Sequence, residues 1–145
     1  MSPFADLVTH VVSALVPAAP GDAFAFLADA GNVDTWTLGS MDAQNLGDGV
    51  YVGRSLYDGG STYFKADPDP ARGVVDYLVG SDPDGLVKRI SARVVPGEDQ
   101  GYGKGTSIVI LSAWRPAGMS DARWHRLCAF HEVEILLLAK RLGAD

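Results

Sequence analysis

A chain of 145 residues suits one domain, which we place over residues 1–145, and it is long enough to bury about two-thirds of the surface its unfolded form exposes, so a core that encloses a cavity is feasible. Its 18 Asp and Glu outnumber 12 Lys and Arg, and the net charge of −6 opposes the phosphate attraction on which nucleic-acid and anionic-membrane binding depend. The single cysteine, Cys128, excludes an internal disulfide, no zinc-type spacing exists, and no motif calls for a metal or a cofactor, so a reducing cytoplasm is the expected compartment.

The first apolar segment, Phe4 to Val16, fits both a helical stripe and a strand alternation. Its β-branched residues, Val8, Thr9, Val11, Val12 and Val16, favour a strand. With the small residues after it, this run has the outline of a signal peptide. No Lys or Arg precedes it, Asp6 stands where the positive region belongs, and His10 interrupts it, so it reads as part of the fold. No apolar stretch approaches the roughly 20 residues of a membrane span.

Pro17 and Pro20 end this strand, and PGDAFAFLADAG reads as a short helix that starts at Gly21 or Asp22, buries Phe24 and Leu27, and stops at Gly31. A second helical turn is expected from Asp34, carrying Trp36 and Leu38 up to Gly39. A weaker strand pattern covers Asp42 to Leu46. Five further strand patterns follow: VYVGRSLY from Val50, STYFKA from Ser61, GVVDYLVG from Gly73, LVKRISARVV from Leu86 and KGTSIVILSAW from Lys104. Asp-, Gly- and Pro-rich turns separate them, among them DPDPARG from Asp67 and PGEDQGYGKG from Pro96. Links this short carry hairpins and not parallel crossovers, so the sheet should be an antiparallel meander.

Within these strands Tyr77 shares a face with Val75 and Val79 and is read as inward. Arg89, Ser91 and Arg93 share the face read as solvent, where Arg89 or Arg93 can meet Asp76. The loop GEDQGYGKG lacks P-loop spacing and a following helix, so its glycines read as a mobile connection with Tyr102 as a lid residue.

The last segment carries agreeing start and stop signals. Ser120 or Asp121 caps a helix that runs to Leu142, with Lys140 and Arg141 in its last turn and Gly143 beyond. At about 100° per residue, Trp124, Leu127, Cys128, His131, Ile135, Leu138 and Leu142 form one stripe, with His131 near its centre. A buried imidazole without a partner costs about 1–3 kcal/mol, so His131 is bonded to a backbone carbonyl or tyrosine hydroxyl as an ordinary core residue, or it faces a cavity. HEVE lacks the second histidine of a zinc helix, and Cys128 reads as a small core residue. Phe130, Val133 and Leu137 form a second stripe pointing the other way, a possible homodimer or protein-interaction face.

The order of strand, two short helices, antiparallel run and long helix, together with VTHVVSALVPAAPGDAFAFLADAGNVDTW, resembles the SRPBCC superfamily of START and birch-pollen-allergen-like proteins, and within it the polyketide cyclase/dehydrase-like branch. The resemblance implies an α+β helix-grip fold: a curved antiparallel sheet of six to seven strands wrapped around the C-terminal helix, with a hydrophobic cavity between them. It also implies a small lipid- or polyketide-like ligand, or in a minority of members cyclisation, aromatisation or dehydration, for which His131 is the acid or base candidate. Residues expected around the ligand are Trp36, which matches the family tryptophan, Tyr77, Trp114, Trp124, Cys128, His131 and Ile135. His10, alternating with Val8 and Val12, meets His131 if that face of the first strand turns inward.

Overall fold

The computed structural model describes residues 7–145; the first part of the expected opening strand, Phe4 to Asp6, lies outside them. Strand β1 (Thr9–Val16) is followed by α1 (Pro20–Ala28), a 3-10 turn (Ala30–Thr35), β2 (Met41–Gly47), β3 (Val50–Arg54), β4 (Ser61–Asp69), β5 (Val74–Gly80), β6 (Val87–Pro96), a second 3-10 turn (Gly97–Gln100), β7 (Ser107–Trp114) and α2 (Asp121–Arg141). The seven strands form one antiparallel sheet in the order β1-β7-β6-β5-β4-β3-β2, so the first strand closes beside the last and the rest is a meander. This is the helix-grip architecture that the order of elements implied. No helix among the described residues is long and apolar enough to cross a membrane.

Alternation decides which side of the sheet is core. Val109, Leu111 and Ala113 of β7 are buried, as are Ala92 and Val94 of β6 and Val75 and Tyr77 of β5. All but Ala113 meet Ala23 and Leu27 of α1 and Ile135, Leu138 and Ala139 of α2 in one cluster. At the β1–β7 edge, Ser107 Oγ donates to the carbonyl of Ala18 at 2.7 Å, fixing the link that turns from β1 into α1.

Three local expectations are corrected. The 3-10 turn begins at Ala30 and not at Asp34, because Asp29 takes the N-cap role by accepting from the Gly31 amide at 2.9 Å. Asp34 instead accepts from the Ala43 amide at 3.0 Å and joins the turn to β2. Strand β4 continues through Asp67 and Pro68, which were assigned to a turn: Pro68 pairs only with Val75 of β5, since β3 reaches no further along β4 than Phe64. This stretch of β4 is therefore paired on one side only, a position where a strand tolerates proline.

The third correction is functional. In the β5–β6 ladder Tyr77 pairs with Ile90 and Leu78 with Lys88, so Arg89 is an extra residue in a bulge. The bulge resets the alternation. Lys88 turns outward to form the ion pair with Asp76 at 3.0 Å, and Arg89, read as a solvent residue, is carried to the inner side.

Helix α2 is held by its N-cap and by its buried stripe. Ser120 Oγ accepts from the Arg123 amide at 3.2 Å, and Asp121 in the first turn with Lys140 and Arg141 in the last complement the helix dipole. Leu138 is fully buried at the centre of the packed half. Leu138→Ala should cost about 2–5 kcal/mol, read as a lower urea midpoint with an unchanged denaturant slope.

Candidate functional site

Only half of the space between sheet and helix is filled. Beyond the core cluster, a cavity of about 600 Å³ lies between the first half of α2 and the end of the sheet where β5 turns into β6 and β7 terminates. Small residues recur in its wall, Gly39, Ser40, Ser55, Gly80, Gly85 and Ala113 among them. Short side chains on the sheet and its links leave a void that larger ones would fill. One close approach fixes this wall. A Cβ on Gly53 would lie 2.7 Å from the Ser40 carbonyl carbon, so glycine lets the link after the first 3-10 turn pass directly over β3.

Three ionisable side chains of α2 line this space: Arg123 and, one turn apart, the buried His131 and Glu134. His131 is 2 % exposed. Its partner is neither a backbone carbonyl nor a tyrosine but His10 of β1, with Nδ1 to Nδ1 at 2.8 Å and ring centroids 5.1 Å apart. The inward face of β1 thus brings together two histidines that are 121 positions apart. His10 Nε2 lies 3.6 Å from Glu132, on the outer side of the helix. His131 Nε2 has no hydrogen-bond partner among the described residues. Burial, and secondarily the charge of a protonated His10, push the His131 pKa down from 6.5 to about 4, so the ring is neutral at neutral pH.

Glu134 is 7 % exposed and was not singled out in the sequence. The Thr37 hydroxyl donates to its Oε2 at 2.6 Å and the Leu38 amide to the same oxygen at 2.9 Å. Burial raises its pKa, opposed by those two bonds and by the Gly39 amide, so the site favours the neutral acid more than water does. The signal that could have found it is a carboxylate one turn after His131 with apolar neighbours, Phe130 and Leu138, one turn to either side.

Tyr57 forms the outer wall. Its ring packs on Phe130 with centroids 4.6 Å apart, and the Arg123 guanidinium lies 5.0 Å from the ring centre. Burial and the nearby Glu134 push its hydroxyl far above the ordinary tyrosine range, so it stays protonated. Asp58, 3.9 Å from Arg123, and the bulged Arg89 complete the charged groups of the lining.

Of the residues expected around a ligand, Trp114 and His131 line this cavity. The others lie elsewhere. Trp36 packs edge-on against Tyr77 with centroids 5.8 Å apart, and the Tyr77 hydroxyl donates to the Leu27 carbonyl at 2.7 Å; both belong to the core cluster. Trp124 and Ile135 are buried outside the cavity wall, and Cys128 is partly buried, also outside it, with its thiol pKa raised by burial. Helical twist accounts for this: the stripe is wide enough that only Leu127, His131 and the flanking Arg123 and Glu134 meet the open half. Tyr102 is not a lid for this cavity, because its loop joins Pro96 to Ser107 at the opposite end of β6 and β7. In the second stripe Phe130 is partly covered by Tyr57, whereas Val133 and Leu137 are exposed, as is the neighbouring Leu136.

A curved seven-strand antiparallel sheet gripping a C-terminal helix, with short helices after the first strand, is the fold of START-type and aromatase/cyclase structures. A START superfamily protein from Mycobacterium smegmatis superposes with a TM-score of 0.65 at 12 % identity, covering 94 % of this chain and 97 % of that one. The Zhui aromatase/cyclase from Streptomyces sp. R1128 superposes at 0.63 with 17 % identity and 92 % coverage of both chains. The Aha1 dimer from Colwellia psychrerythraea gives 0.64 at 17 % identity, covering 94 % of this chain and 96 % of the other. No protein-family model and no curated protein sequence matches the chain.

The buried histidine gives the site a pH signature. Between pH 6.5 and about 4 the unfolded chain takes up a proton that folded His131 refuses, so stability is complete above this window and falls as pH drops through it. At 1.36 kcal/mol per pH unit the loss reaches about 3 kcal/mol, an upper figure for one buried ring. Glu134 has the opposite sign, since its raised pKa adds stability at low pH that is lost on raising pH from 4.5. His131→Phe removes only the first component. The difference between the two proteins in urea unfolding should therefore favour the variant increasingly from about pH 7 to about pH 4, and parallel curves would refute a buried neutral His131.

Proposed function

We propose that this protein binds a small hydrophobic or aromatic molecule, lipid- or polyketide-like, in the cavity between the sheet and α2. The observation that carries this reading is a void of about 600 Å³ whose wall includes a buried histidine with one nitrogen unpartnered among the described residues. That volume suits a drug-sized ligand, and a few convergent polar groups among small and apolar residues are what a selective pocket uses. The aromatase/cyclase and START-type folds among its structural neighbours support the same class of ligand.

A second reading is an enzyme of the cyclase, aromatase or dehydratase kind. It is favoured by the proximity of His131, neutral and able to accept a proton, to Glu134, whose environment favours the acid. Such a pair can remove a proton beside a carbonyl and supply one to its oxygen. A third reading, pairing or partner binding through Phe130, Val133 and Leu137, rests on the exposure of Val133 and Leu137, whereas Phe130 is partly covered by Tyr57.

Denaturing mass spectrometry of organic extracts from the purified protein should reveal a copurifying apolar compound. Failing that, an aromatic library should raise the melting temperature. An empty protein that no member stabilises would sink the binding reading. Glu134→Gln separates the first two: a pure binder keeps its ligand with a change of about tenfold or less, whereas an enzyme loses turnover of a bound carbonyl substrate by about 100-fold or more while still binding it.

A further inference from the structure

His10 and His131 meet through like atoms, Nδ1 to Nδ1 at 2.8 Å. A neutral imidazole has one N–H and one bare nitrogen, so this contact is a hydrogen bond only if one ring donates and the other accepts. With both rings neutral they must therefore be opposite tautomers. The far edge of His10 decides which is which. Its Nε2 lies 3.6 Å from Oε1 of Glu132, longer than a hydrogen bond but close enough for the carboxylate to favour a proton on that nitrogen. With its proton on Nε2, His10 offers a bare Nδ1. The proton in the 2.8 Å contact then belongs to His131 Nδ1, and His131 Nε2 is left bare.

That last atom is buried and has no partner among the described residues, on a side chain that lines the cavity. The other titratable groups around the pair are Glu134 and Cys128, each one turn away on α2, and Arg89 and Arg123 in the cavity wall; none of them hydrogen-bonds either ring. Ala113, opposite His10 on β7, carries no charge. Glu132 is thus the one carboxylate in contact with the pair among the described residues.

We propose that Glu132 and His10 are positioning residues that hold His131 as its Nδ1–H tautomer, so that Nε2 is a bare acceptor selecting a cavity ligand that presents a hydroxyl, of the phenol or enol class. The opposite tautomer would present an N–H and select a carbonyl. A bare, buried acceptor discriminates strongly, because a ligand of the same shape without a donor leaves it unpaired. The ligand half of this inference rests on the cavity-binding reading; the tautomer half does not.

Imidazole nitrogen NMR of the isotope-labelled, ligand-free protein tests the tautomer directly. The expected spectrum shows His131 protonated at Nδ1 and bare at Nε2, with a scalar coupling between the two Nδ1 atoms across the hydrogen bond. A proton on His131 Nε2 overturns the proposal. His10→Asn, which can keep an acceptor near the position of Nδ1, should retain the bare Nε2, and His10→Phe should let both tautomers appear; a purely structural role for His10 would leave the tautomer unchanged in both variants. For selectivity, β-naphthol and its methyl ether serve as probes by calorimetry. The naphthol should bind about tenfold tighter, the effect of one neutral hydrogen bond, and His131→Phe should abolish the preference. Equal affinities with the expected tautomer overturn the hydroxyl selection, whereas failure of both probes to bind counts against the cavity-binding reading and leaves the tautomer result standing.

Discussion

The open half of this fold depends on where the Glu134 carboxylate is anchored. By accepting from the Thr37 hydroxyl and the Leu38 amide, it ties the middle of α2 to the link between the first 3-10 turn and β2. The packed half of the helix needs no such tie, because Leu138 and Ala139 lie in the core cluster beside α1 and the sheet. Toward the N-terminal end the lining changes to glycine, serine and alanine, and apolar contact alone would favour collapse of the helix onto the sheet. A polar tie at the boundary, with the His10–His131 contact on the β1 side, resists that collapse. Two ionisable residues one turn apart thus hold α2 to both flanks of the sheet while leaving the space between them open.

This division explains why the architecture was readable and the site only partly so. The strands, their antiparallel order and α2 follow from signals local in sequence: alternation, turn residues, a serine cap and a terminal glycine. The cavity has no such local signal. Much of its wall is small side chains from three strands, β4, β5 and β7, and three links, each of which reads individually as an unremarkable serine, glycine or alanine. Large aromatics draw attention in a sequence, yet Trp36, Tyr77 and Trp124 are large enough to fill space and so belong where space is filled.

His131 was legible because a polar group at the centre of an apolar stripe must find a partner, and alternation placed His10 on the face of β1 that could supply it. Glu134 was less visible because it lies at the margin between two stripes, where a carboxylate ordinarily reaches water. The Arg89 bulge was invisible for a different reason. A bulge adds one residue to a ladder without any change in composition, and it exchanges the inner and outer sets on one side of itself. The same shift that places Arg89 in the wall sends Lys88 out to Asp76.

The His131 ring also bears on how the protein divides stability from function. Leaving one nitrogen of a buried ring without a partner costs about 1–3 kcal/mol, an appreciable share of the roughly 5–15 kcal/mol by which a domain of this size is stable. Phenylalanine would fill the same position without that cost, and methionine or leucine with little more. A histidine that only packed against β1 would gain little from its second nitrogen. A histidine whose first nitrogen is fixed by His10 has a second one of defined direction and, given the tautomer, of defined hydrogen-bonding role. A ligand that completes the bond recovers in the complex what the free protein forgoes, and that recovery is available only to ligands with the matching group. The residue that weakens the free fold is therefore the one best placed to make binding selective.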